Sequence, residues 1–217
     1  MAAKKAVPTA PVVEEQAQIQ ISEIAAQTIS VPILGTTPLI VNRFSEKSKK
    51  QMLDTMQGRK APKVPKDPEA EYEASFYRLK DDTYGFPVTA FKLATIGAAR
   101  FYGKEVSMTS LRQFLFFRGE IGADGLGLAR IDGEPNMRED VVRVGMKGTD
   151  LRYRPEFTEW STVLNVTYVT SALTRDSVLS LIDAGGMGVG IGEWRPERSG
   201  DFGCYRIDPT RKIEVIA

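Results

Sequence analysis

The sequence predicts an α+β protein, and three observations carry that reading. The run QTISVPIL at Gln27 to Leu34 alternates β-branched residues as a strand does. The stretch Trp160 to Thr170, containing STVLNVTYV, does the same near the other end. Between and after them, segments of helical period begin at Ser or Thr residues suited to capping.

Taken in order, the first strand contains Pro32, which implies an edge or a bulge because proline has no N–H to give to a ladder. Gly35-Thr36-Thr37-Pro38 turns the chain, and Leu39 to Val41 extends or restarts the strand. Ser45 is placed to cap a helix through about Gln57, with Met52, Leu53 and Met56 as a narrow apolar stripe and Gly58 as its stop. GRKAPKVPKDP then reads as an exposed loop. Ala74 to Leu79 and Thr83 to Phe86 read as a hairpin, and Thr89 as the cap of a helix over Ala90 to Tyr102. LRQFLFFR at Leu111 to Arg118 and Leu126 to Ile131 read as strands. Thr174 caps a helix over Arg175 to Ala184, a glycine-dense loop follows, and Phe202 to Ile207 is the last strand.

The 217 residues are 42% hydrophobic, enough for a core without staples. One cysteine, Cys204, permits no intrachain disulfide, and its strand-like setting suits a core or near-core thiol. The N-terminus lacks the apolar run of a signal peptide, and no stretch approaches a membrane span, so a cytoplasmic protein of a bacterium or an infected bacterial host is expected. Histidine is absent. That removes imidazole acid–base chemistry and, with a single cysteine, the usual zinc sites; no metal or cofactor is expected. Carboxylate chemistry with magnesium stays open, although Asp81-Asp82 and Glu139-Asp140 read as solvated surface.

Charge is unevenly distributed. From Arg43 to Lys66 eight basic residues face only Glu46 and Asp54, a net +6 in a chain whose total is +1. Arg43, Lys47, Lys50, Arg59, Lys60 and Lys63 are therefore candidate phosphate contacts, as are Arg152 and Arg154 in a basic stretch that could border a groove.

Gly185 to Gly203 reads GGMGVGIGEWRPERSGDFG, with seven glycines in nineteen residues. Glycine at this density costs backbone entropy and permits positive φ and close approach to a ligand. Gly186, Gly188 and Gly190 are the candidate cradle, with Trp194 to stack a base and Arg195 and Arg198 to contact phosphates. Equally open are a plain helix cap followed by a bulged hairpin, a core-filling Trp194, and Arg195 paired with Glu193 or Glu197. A dinucleotide fingerprint fails because these glycines follow a helix instead of opening one, and a P-loop fails because no Gly-Lys-Ser or Gly-Lys-Thr step exists.

At this loop, and at ISVPILGTTPLIVNRFS, the sequence resembles the RAMP superfamily of CRISPR backbone-subunit-like proteins. The likeness covers Gln27 to Gln57 and Trp160 to Ile207. It implies a ferredoxin-like, RRM-like β-α-β core with a large middle insertion: an N-terminal arm over 1–26, then one α+β domain over 27–217 with a basic loop at 58–67 and an insertion over about 103–158. It also implies a non-catalytic protein that binds single-stranded DNA or RNA and oligomerises along it as a homo-oligomer or filament. The alternative is a phage or mobile-element assembly protein that does not bind nucleic acid.

Overall fold

The computed structural model describes residues 23–59, 65–144 and 148–216. Nearly all of the expected arm at 1–26 and the centre of the 58–67 loop, Lys60 and Lys63 included, lie outside them. The chain runs β1 (Ala26–Gly35), β2 (Leu39–Ile40), α1 (Glu46–Met56), α2 (Pro68–Ala74), β3 (Tyr77–Arg78), β4 (Tyr84–Pro87) and α3 (Val88–Gly97). A 3-10 turn over Ala98–Tyr102 leads to α4 (Met108–Phe114), β5 (Leu115–Arg118), β6 (Glu120–Ile121), β7 (Gly127–Arg130), β8 (Pro135–Val144), β9 (Gly148–Phe157) and β10 (Ser161–Val169). Last come α5 (Arg175–Gly188), β11 (Tyr205–Ile207) and β12 (Glu214–Val215).

The core sheet has the order β11-β1-β10-β5 with β12 also on β1, and every pairing is antiparallel. With α3 between β1 and β5 and α5 between β10 and β11, this is the β-α-β-β-α-β connectivity of a ferredoxin-like fold. Register explains the face that is buried. Ile29, Val31 and Ile33 lie opposite Val166, Leu164 and Thr162, all on the side covered by helices. Phe91 and Ala94 of α3 and Val178, Leu181 and Ile182 of α5 complete that layer. Burying each large side chain of this kind contributes about 1.5–3 kcal/mol.

Pro32 stands in the middle of this sheet and not at an edge. Its carbonyl accepts from the Asp208 N–H at 2.9 Å, in the gap between β11, which pairs at Ile33–Gly35, and β12, which pairs at Ile29 and Ser30. The missing N–H therefore falls where the neighbouring strand is broken.

Two segments interrupt the core. Residues 119–160 separate β5 from β10, and residues 36–87 separate β1 from α3. They pair with each other as the sheets β2-β9-β8 and β3-β4-β7-β6. Phe76, Tyr84 and Phe157 join them, with ring centroids 4.9 to 6.4 Å apart.

Three elements differ from expectation. Leu111–Arg118 is half helix, because Ser107 accepts from the Ser110 N–H and starts α4 before β5 begins. Thr89 caps nothing, since α3 already starts at Val88. Most importantly, α5 continues through Gly188, so the first glycines of the dense run are helical.

Candidate nucleic-acid interface

The glycines at the end of α5 let elements approach. A Cβ on Gly185 would stand 2.8 Å from the Ala94 backbone, one on Gly186 2.1 Å from the Tyr205 carbonyl oxygen, and one on Gly188 2.4 Å from the Phe101 ring. Gly186 and Gly188 are therefore packing positions and not part of an open cradle. The loop proper begins at Gly190, whose φ of +68° and N–H to the Gly185 carbonyl close the helix as a left-handed cap.

That loop is tied down by its own amides. Ile191 N–H donates to Gly203, Glu193 N–H to Ile40 and Glu197 N–H to Val189, at 3.0 to 3.2 Å. Phe202 N–H and Gly203 N–H are likewise engaged, by Trp194 and Pro38. The expected press of free main-chain amides against a polyanion is thus corrected: these donors already have partners, and side chains are what the loop can offer.

They face a groove of about 480 Å³ on the helix side of the core. It is lined by Ala90, Leu93, Ala94 and Gly97 of α3, by Arg100, by Met108 and Arg112 of α4, by Gly190 to Glu193 with Arg195 and Glu197, and by Asn42, Tyr77 and Phe86. Leu93 is 61% exposed there, an apolar surface left open to solvent.

Three guanidinium groups reach this groove. Arg195 donates to Glu197 at 2.9 Å and to the Gly192 carbonyl, which realises the Glu197 pairing considered from the sequence. Arg100 lies 3.8 Å from the same Glu197 with its side chain 63% exposed. Arg112 is exposed, and among the described residues its guanidinium has no acidic partner.

The predicted contacts divide accordingly. Gly190 and Arg195 line the groove. Arg43 adjoins it, because Asn42 and Tyr77 are lining residues; burial raises the pKa of the Tyr77 phenol, and the Arg43 charge is the strongest influence opposing that rise. Arg43 itself pairs with Asp124 at 3.1 Å. Lys47 and Lys50 follow on exposed α1, and Arg59 lies beyond its end. Trp194 is 47% exposed at a φ of 56°, outside the groove lining and outside the core alike. Arg198 is exposed in the 3-10 turn Pro196–Arg198. Arg152 belongs to the β8–β9 hairpin, 3.9 Å from Asp150.

Arg154 is corrected as a phosphate contact, since only 3% of it is exposed. Burial pushes its pKa down, and Glu193 of the groove is the strongest charge holding it up. Asp140, expected at the surface, is buried beside it and accepts from Arg138 at 2.9 Å. Arg138 in turn covers the Phe202 ring, 4.9 Å away.

Arg100, Arg112, Leu93 and Asn42 were not singled out in the sequence. A signal existed in α3: Leu93 and Arg100 are seven residues apart and out of phase with the buried Phe91, Ala94 and Ala98, which marks a second, solvent-facing stripe.

No family model and no curated protein matches the chain. Among solved structures it is similar to Cmr6 from Pyrococcus furiosus, at 9% identity and a TM-score of 0.42, covering 86% of this chain and 100% of that one. It is also similar to a chain of the Type III-B Cmr-beta bound to cognate target RNA, at 13% identity and a TM-score of 0.42, covering 88% of this chain and 61% of that one.

Proposed function

We propose that the protein binds single-stranded nucleic acid in the groove between α3 and the Gly190–Glu197 loop, and holds it without cutting it. The observation that carries this reading is that Arg100, Arg112 and Arg195 line one groove together with the solvent-exposed Leu93. Unpaired bases present apolar faces to such a surface while phosphates meet the arginines; a duplex keeps its bases stacked inside. Arg43 and the lysines of α1 extend the positive surface from the Asn42 end. With no histidine, imidazole has no part in any chemistry here.

The test is a fluorescence-anisotropy titration of a labelled single strand across a series of salt concentrations. Wild-type protein should bind at low salt, and the double variant Arg100→Ala, Arg112→Ala should flatten the log–log salt slope by roughly 1.4, about 0.7 for each lost contact. Absence of binding by folded protein at low salt would overturn the reading.

One observation favours a second reading, assembly with other copies of the chain. Phe44, Met52, Leu53 and Met56 are each at least 50% exposed around α1. Oligomers that persist after nuclease treatment, in a sample that binds no strand, would select assembly over binding.

A further inference from the structure

Glu193 is out of place in a groove that receives phosphates. Its carboxylate lines the groove between arginines and would repel a phosphate brought against it. Yet it is held firmly. Asn42 Nδ2 donates to Oε1 at 3.0 Å, and the Glu193 N–H is fixed to the Ile40 carbonyl at 3.1 Å. Gly192, immediately before it, has a φ of +76° and no room for a Cβ, which would stand 2.6 Å from the same Ile40 oxygen.

Arg154 is buried on β9. Among the described residues its Nε and Nη1 have no hydrogen-bond partner, and Nη1 lies 3.7 Å from Asp140 Oδ2. Glu193 is the strongest charge that opposes the effect of burial on this guanidinium. The amide donor of Asn42 orients the carboxylate, while Oε2 has no hydrogen-bond partner among the described residues.

We infer that Glu193, held by Asn42, reads the donor edge of one unpaired base, and that the base it selects is guanine. This rests on the nucleic-acid reading above. A carboxylate only accepts hydrogen bonds, so the ligand group in front of it must donate. Guanine alone among the bases presents two donors side by side on its Watson–Crick edge, N1–H and the N2 amine, matching the two oxygens of a carboxylate. Adenine and cytosine offer a single amine there, and uracil and thymine a single imino group. The phosphates on either side of that nucleotide then fall to the arginines of the groove. Asn42 is a positioning residue in this scheme, since it acts through the carboxylate.

The experiment measures wild-type affinity for otherwise uniform pyrimidine strands that carry one central guanosine, inosine or adenosine, using the sugar that binds better in the salt titration. Inosine lacks only the N2 amine. Guanosine should bind tightest and inosine about tenfold more weakly, the worth of one hydrogen bond to a charged group. Glu193→Gln should bring the guanosine-to-inosine ratio close to one. Asn42→Ala, which leaves the carboxylate in place and removes the donor that orients it, should lower the same ratio and tests the idea even where Glu193→Gln fails to fold. Equal affinity of wild-type protein for the guanosine and inosine strands would overturn the inference and leave the binding function standing. Failure to bind any strand would overturn both.

Discussion

At Gly186 the backbone of α5 comes so close to β11 that a methyl group has nowhere to go, with the Tyr205 carbonyl oxygen 2.1 Å from where a Cβ would be. Backbone cannot rotate aside as a side chain can. Gly186→Ala should therefore cost about 2–4 kcal/mol, read as a lower midpoint in urea unfolding. Gly58, at a φ of +72° with nothing near it, should lose only about 1–2 kcal/mol when changed to Ala, from backbone strain alone. The two glycines look alike in the sequence. What separates them is tertiary approach, a property no local pattern encodes, and for that reason a packing glycine was read as a ligand-binding one. Arg154 follows the same logic: its basic neighbours suggested a phosphate contact, but its place on β9 buries the guanidinium.

Elements were legible where capping and alternation agree. Thr174 accepts from the Ser177 N–H and starts α5 as its residue type suggests, and β1 and β10 carry the alternation that their shared register buries. LRQFLFFR misled because its apolar residues suit helix and strand alike, and only Ser107, outside the run, marks the helix start. Asp67 followed by Pro68 announced α2 in the same way and passed unread in an acidic stretch. The inserted sheets depend on charge as well as pattern. Arg130 of β7 reaches Asp81 of the β3–β4 turn and Glu120 of β6, each at 2.9 Å. The Thr83 hydroxyl, together with this guanidinium, lowers the Asp81 pKa to about 2 against an ordinary 3.8. A depressed carboxylate stabilises the fold above its unfolded value and stops doing so as pH falls through the folded one. The Asp81 contribution should thus be whole above about pH 4 and fade toward pH 2. Urea midpoints measured across that range should fall in wild-type protein and fall less steeply in Asp81→Asn.

For the whole molecule, stability should be graded outward from the ferredoxin-like sheet. β1 and β10 lie under α3 and α5 with fully buried side chains, whereas α1 holds no buried side chain among its described ones and turns Met52, Leu53 and Met56 to solvent. Hydrogen exchange followed by mass spectrometry should show α1 exchanging first and β1 with β10 last; early exchange in β10 would contradict that gradient. The groove lies against the rigid part, since α3 lines it, so its arginines sit on elements held by the core. The pairing of β1 also governs how the chain comes together in time. Thr28 meets Thr167, 139 residues later, and the other side of the same strand is completed only by residues beyond Tyr205. During synthesis, β1 has one edge bare until residue 169 has left the ribosome and the other until residue 207 has. Topology of this kind folds slowly, and the interval is one in which a chaperone could be needed.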